Sequence, residues 1–267
     1  MIEFSEIQNI YFILPILGFI VGLFGTMAGG GGGFFFLPAL TLVLKVPAQT
    51  AVITSLVAAL PICVVGSWGH NHKNNINFKV AFILIAGGII GAFVGAGITE
   101  WITGWQLKVA FGIYSILIAL NMVLDARKKQ KNSNETKIQN KENGFLRITK
   151  GSLFGLVAGL ITGTFGTSGS APVIAGLFSL KIPFKKVIGT SLIVVLLNTV
   201  FAVSAHFLIG KIDLTLVSFL TAGSVLGAVA GPKLFSKMKL DKAEKSAGYW
   251  YAAVMVIIGV LMIISKN

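Results

Sequence analysis

Met-Ala-Gly-Gly-Gly-Gly-Gly-Phe-Phe-Phe-Leu-Pro, residues 27–38, is the stretch on which the reading of this chain turns. Its five consecutive glycines, Gly29 to Gly33, make a poor helix interior, because each costs about 1 kcal/mol relative to alanine. Yet the runs on either side, 11–24 and 34–44, are apolar enough to lie in lipid. Backbone that leaves the helix at membrane depth persists only where protein or a water-filled cavity satisfies its polar groups. The stretch therefore predicts a broken, backbone-exposed element inside a membrane protein. A related stretch, 163–172, returns in the second half. The two breaks are expected to line a substrate site.

Composition points the same way. Hydrophobic residues make up 55% of the chain and charged ones 12%, and several runs approach the roughly 20 residues that cross a hydrocarbon core. The expected class is an all-α, polytopic membrane protein with little soluble mass. The net charge of +13 comes from basic residues between apolar spans, the pattern of the positive-inside bias, and argues against a nucleic-acid partner. A single cysteine, Cys63, excludes an intramolecular disulfide and a multi-cysteine zinc site; in its apolar run it reads as a small buried hydrophobe. Glu3 and Glu6 precede the first basic residue, Lys45, so the positive region of a cleavable signal is missing and the first helix is expected to be kept.

After the first break, Pro47 suits the first turn of a new helix. The span 48–68 carries Thr54, Ser55 and Pro61, the last expected to kink it. A polar loop, 70–75, leads to a span at 80–98 whose Gly87, Gly91 and Gly95 lie on one face, where small residues let membrane helices approach. A further span covers 109–124. The segment 127–147 holds seven basic and two acidic residues and reads as a solvated cytoplasmic linker. The organisation is a first transmembrane repeat (1–126), the basic linker (127–147) and a second transmembrane repeat (148–267).

The repeat is visible at an offset of 136 residues. Pro47 matches Pro183, Thr54-Ser55-Leu56 matches Thr190-Ser191-Leu192, and His70 matches His206. Gly87, Gly91 and Gly95 match Gly223, Gly227 and Gly231. Extended backwards, the same register sets Thr26, Gly30 and Gly33 on Thr162, Gly166 and Gly169. Charge separates parallel from inverted halves. Five lysines in 233–245 face one lysine in the matching 98–108, and Lys181, Lys185 and Lys186 face only Lys45. Lysine-rich loops prefer the cytoplasm, so this flip predicts inverted repeats, each with a glycine-broken hairpin and three crossings, and both termini outside. Eight crossings with parallel repeats are the alternative.

Inverted repeats with discontinuous helices recur in transporters, with substrate near the midplane. Glycine turns and helix N-termini present N–H groups that suit an anion. The candidate backbone donors are Gly30, Gly31 and Gly33 with Gly166 and Gly169. The candidate hydroxyl donors are Thr54, Ser55, Ser168, Ser170, Thr190 and Ser191. All nine acidic residues lie at ends, loops or the linker, so the carboxylate relays usual in cation pumps are missing. His70 and His206 are candidates for proton coupling, beside the plainer reading of helix-end hydrogen bonds. Asn121 and Asn198 read as helix–helix glue. Trp101, Trp105, Trp250 and Tyr251 read as interfacial anchors. No metalloprotease, nucleophile-elbow or phosphate-loop motif occurs, so no enzyme, metal site or cofactor is expected.

The run 22–33 ending in Pro38, the Thr54-Ser55-Leu56 triplet, His70 and the 75–78 turn resemble the TauE/SafE family of sulfite exporter-like membrane transporters. The echo at 163–172, 190–192, His206 and 210–213 extends the resemblance to the second half. It implies a multi-pass permease of the inner (cell) membrane for a sulfur-containing anion such as sulfite, a sulfonate, sulfoacetate or thiosulfate. The second break has fewer glycines than that family's pattern. The expected function is a secondary transporter of a small anion working by alternating access. An anion channel is the alternative, and a membrane-embedded enzyme or scaffold a more distant one. Expected partners are the anion and the lipid bilayer.

Overall fold

The computed structural model describes residues 2–27, 29–131, 144–207, 212–235 and 240–265. Most of the basic linker, Gly210, Lys211 and the lysines at 237 and 239 lie outside the described residues, as does the Trp250 side chain. The chain is an all-α polytopic bundle, with seven helices among the described residues long and apolar enough to cross a membrane. In chain order the α-helices, spanning and shorter together, are α1 (Leu14–Met27), α2 (Gly33–Pro38), α3 (Ala48–Asn71), α4 (Phe78–Trp101), α5 (Gly104–Lys131), α6 (Gly144–Phe165), α7 (Ser170–Ser179), α8 (Phe184–Phe207), α9 (Leu214–Phe235) and α10 (Leu240–Ile264).

The start of each helix after the breaks recurs 136 residues later: 48 and 184, 78 and 214, 104 and 240. Asn77 and Asp213 open one such pair, each with its side-chain oxygen accepting first-turn N–H groups: Val80 N–H at 3.3 Å on Asn77, Thr215 and Leu216 N–H at 3.0 and 3.2 Å on Asp213. Upstream of these helices the register changes. Gly29 and Gly166 share a left-handed φ, as do Gly32 and Gly169, which makes the offset there 137. The match of Gly30 and Gly33 to Gly166 and Gly169 is thus out by one residue. The reason is local: the first half carries one more residue between break and long helix. A π turn at Ala39–Val43, just after Pro38, takes it up.

Helix directions follow from who touches whom. A β-carbon added at Gly87 would meet the Ser152 carbonyl, at Gly91 that of Leu156 and at Gly95 that of Leu160, so α4 and α6 run parallel. Gly223, Gly227 and Gly231 meet Pro15, Phe19 and Leu23 in the same sense, so α9 and α1 run parallel too. Each glycine ladder therefore packs on the first helix of the other half, at a range only a missing side chain permits. By contrast, Gly112 lies on Gly259, and Ser115 Oγ donates to the Met255 carbonyl at 2.6 Å; α5 and α10 are antiparallel. Gly189 meets His70 while Gly66 meets Leu192, so α3 and α8 are antiparallel as well.

Ala48 lies beside Gly104, which puts the starts of α3 and α5 at one end. The ends of α3 and α5, and the starts of α4, α6, α8 and α10, gather at the other, the linker end. The α1–α2 hairpin starts and finishes at the end opposite the linker, where Ile2–Glu3 pairs in parallel with Ile212–Asp213. The α6–α7 hairpin starts and finishes at the linker end, Gly151 approaching Leu180. His70, expected in a loop, is in the last turn of α3, and Pro61 sits inside that helix. Trp101 and Trp105 are exposed. Tyr251 is not: its ring packs edge-on against Phe35 at 5.6 Å inside the bundle, because α10 is antiparallel to α5 and turns this face inward.

Candidate functional site

The two breaks meet inside the bundle. A β-carbon on Gly33 would lie 3.3 Å from the Gly166 carbonyl and 3.3 Å from the Ser168 nitrogen. One on Gly30 would face Ser170 Oγ at 3.2 Å, and one on Gly31 would face Ser168 Cβ at 3.5 Å. Of the five glycines, Gly29, Gly31 and Gly32 hold φ values of 73°, 61° and 73°, a region that favours glycine. The Gly30 and Gly31 N–H groups both donate to the Gly25 carbonyl, at 2.8 and 3.2 Å, closing the end of α1. Gly33 opens α2, and Ser170 follows Gly169 to open α7. The first N–H groups of a helix have no partner within it, so both helices start towards the meeting point of the breaks.

Each break is held by the other half. Ser191 Oγ lies 2.8 Å from the Gly29 carbonyl and Ser55 Oγ 2.9 Å from the Gly166 carbonyl, each sharing its one proton with a carbonyl of its own helix, Ile188 and Val52, both at 2.8 Å. The neighbouring threonines act on the turns before the ladder helices. Thr190 Oγ1 accepts the Asn77 N–H at 2.9 Å, and Thr54 Oγ1 accepts the Asp213 N–H at 3.4 Å. All four side chains are fully buried. The Thr-Ser-Leu triplet is a clamp between halves. Its hydroxyls, expected to face the anion, are engaged with protein.

The hydroxyls that remain come from the second break. Thr167 Oγ1 is buried without a partner, and Ser168 and Ser170 make no hydrogen bond among the described residues. α8 passes beside the first break. Val195 lies 3.2 Å from a β-carbon at Gly31, and Asn198 and Thr199, one turn on, are buried with unpartnered side-chain polar atoms. Asn198 packs against Gly88 but makes no side-chain hydrogen bond among the described residues, so it is not the hydrogen-bonded glue expected of it. Asn121 is exposed on α5. The clue to Asn198 in sequence was a lone amide in an apolar span, which looks the same for glue and for a lining residue.

The matched histidines differ. His206 Nε2 lies 2.6 Å from the Gly163 carbonyl, and since a carbonyl only accepts, this nitrogen carries the proton. With Thr99 Oγ1 on the Thr164 carbonyl at 3.0 Å, it satisfies the end of α6 beside the second break. His70 is also buried, but its Nδ1 has no partner among the described residues. Among the described residues no three His, Cys, Asp or Glu side chains gather as metal ligands.

The family model described as "Sulfite exporter TauE/SafE" matches residues 14–266. The "Probable membrane transporter protein YdhB" of Bacillus subtilis (strain 168) is 29% identical over 251 residues, covering 92% of this chain and 96% of that protein. The "Probable membrane transporter protein YunE" of the same organism is 24% identical, covering 95% and 97%. The "Probable membrane transporter protein MJ0441" of Methanocaldococcus jannaschii is 28% identical over 194 residues, covering 70% and 69%. No solved structure matches.

Proposed function

We propose, from the premise that the chain belongs to the sulfite exporter TauE/SafE family, that it is a secondary transporter of a small sulfur-containing oxyanion or organosulfonate. It is a multi-pass protein of the cell membrane, and it moves its substrate by alternating access between two inverted halves. The carrying observation is the meeting of the breaks: Gly33 against Gly166 and Ser168, and Gly30 against Ser170. There the N-terminal ends of α2 and α7 and the hydroxyls of Thr167, Ser168 and Ser170 offer a neutral, donor-rich lining. An anion is stabilised by such dipoles, and acidic residues would repel it. Gly30, Gly31, Gly33, Gly166 and Gly169 shape the lining. Thr54, Ser55, Thr190 and Ser191 position it by tying each break to the opposite half.

Inversion is supported by helix sense. The equivalent helices α5 and α10, and likewise α3 and α8, are antiparallel; an axis along the membrane normal would leave equivalent helices parallel. Charge supports the orientation. Lys73, Lys79, Lys150, Lys181, Lys185 and Lys186 lie at the linker end, whereas Glu3, Glu6, Glu100 and Asp213 accompany Lys45 and Lys108 at the other. The linker end is then cytoplasmic. His206, bonded beside the second break, and His70 are the groups through which a proton would be coupled.

The test is uptake of labelled sulfite, thiosulfate and sulfonates into proteoliposomes, with and without a pH gradient. Alternating access gives saturable uptake accelerated by unlabelled anion on the far side; an open channel gives no such acceleration. Transport unchanged by bulky replacements at both Gly31 and Gly169 would overturn the site.

A further inference from the structure

The end of the bundle opposite the linker contains a cavity of about 310 Å³, lined by Thr41, Lys45, Gln49, Gly104 and Lys108 among others. Lys108 is only 5% exposed, in the second turn of α5. Among the described residues it makes no ion pair or hydrogen bond. A lysine this little exposed is ordinarily paired; here its stem is buried and it lines the cavity. Among the described residues no acidic side chain lines the cavity. Lys45 is a second cation on the wall, and the start of α5 at Gly104 adds the positive end of a helix dipole. The Gln49 amide, whose Nε2 donates to the Ile102 carbonyl at 3.2 Å, is fixed on the same wall. The cavity has the charge of an anion site and the volume for a small oxyanion with some of its water.

We propose that this cavity is a second anion site, distinct from the meeting of the breaks, which captures a free small oxyanion of the sulfate or sulfite type at the mouth of the first hairpin. Thr41 lies just after α2, and α2 begins at Gly33 in the central site. The occupant thus sits at the outer end of the helix whose inner end faces the other break. The site rests on Lys108 and the cavity, so it stands or falls separately from the transport reading.

Two measurements on purified full-length protein test it. In the first, sulfate is compared with chloride at equal ionic strength while lysine acetylation is followed by peptide mass spectrometry. Acetylation of Lys108 is expected to slow about fivefold when sulfate is several times its dissociation constant, by mass action, with exposed Lys73 unaffected. In the second, melting temperatures are compared for the parent and Lys108→Gln. Sulfate raises the melting temperature of any protein by exclusion from its surface, so the excess rise in the parent is the signal, and Lys108→Gln is expected to lose it. Lys108→Gln removes an unpaired buried charge, so the fold is expected to tolerate it. Equal sulfate responses in the parent and Lys108→Gln overturn the proposal, also where Lys108 proves too enclosed to acetylate. Protection of Lys108 by phosphatidylglycerol in nanodiscs, with none from free sulfate, overturns it in favour of a lipid headgroup.

Discussion

An alanine scan through Gly29 to Gly33 separates the proposed geometry from a merely flexible glycine run. At Gly31 the φ of +61° costs an alanine about 1–2 kcal/mol. Its β-carbon would also lie 2.6 Å from Cys63 Sγ and 3.2 Å from Val195 Cγ1, an overpacking worth a further roughly 1–3 kcal/mol. The sum is about 2–5 kcal/mol for Gly31→Ala. Gly29→Ala (φ +73°, 2.6 Å from Ser191 Oγ) and Gly32→Ala (φ +73°, 2.6 Å from Val21 Cγ1) belong in the same range. Gly30 is different, with no left-handed φ and only Ser170 nearby, Oγ at 3.2 Å. Gly30→Ala is expected to be neutral or to stabilise by up to about 1 kcal/mol through the unfolded chain. Gly33→Ala, with neighbours at 3.3 Å, falls between. Melting of purified protein in detergent reads this out, at roughly 2–4 °C per kcal/mol for chains approaching this size. A flat profile across the five positions, or Gly30→Ala as damaging as Gly31→Ala, would refute the assigned turn.

Ser55→Ala and Ser191→Ala each leave a break carbonyl without its donor, and each is expected to cost about 1–3 kcal/mol; if unfolding in graded denaturant shows neither change, the clamp is not real. His206→Ala removes the shorter of two donors to the Gly163 carbonyl, leaving Thr99 Oγ1 at 3.3 Å, and should lower the melting temperature more than His70→Ala, whose Nδ1 has no partner among the described residues to lose; equal shifts would contradict the asymmetry. Gly155→Ala drives a β-carbon into the Leu84 carbonyl, whereas Gly97 has nothing within 4 Å. The first is expected to abolish stable folding and the second to be neutral or stabilising by up to about 1 kcal/mol, as judged by size-exclusion profiles. Asn198→Ala removes two unpartnered amide atoms and should barely alter melting while raising the apparent KM for anion uptake; a large melting loss with unchanged KM would make Asn198 purely structural.

Sequence made some of this legible and concealed the rest, for identifiable reasons. Periodicity and hydropathy needed only neighbouring residues, so the helices, the glycine breaks and the 136-residue repeat could be read directly. The repeat failed only at the breaks. A run of five glycines gives no side chain by which to choose a register, and the π turn that takes up the extra residue lies further on, at Ala39–Val43. The hydrogen-bond partners of Thr54, Ser55, Thr190 and Ser191 were concealed because a hydroxyl that reaches lining or protein looks the same in one dimension. Ser55 and Gly166 lie 111 residues apart. Lys108 passed as one loop charge among several until α5 turned it inward, beside the start of α3.

What the sequence by itself determined is the class: apolar spans separated by basic loops leave a polytopic membrane protein as the only place for this chain, since its backbone and side chains have no other solvent that suits them. It also determined that the chain breaks twice, because runs without side chains cannot hold a helix there. That the two breaks meet is a matter of tertiary packing. Only the tertiary structure joined Gly33 to Gly166, gave each break's carbonyl a serine from the opposite half, and left Thr167, Ser168 and Ser170 without hydrogen-bond partners among the described residues. Such pairings depend on how parallel and antiparallel helices meet across more than a hundred residues. That is a property of packing, which the order of residues constrains but does not display.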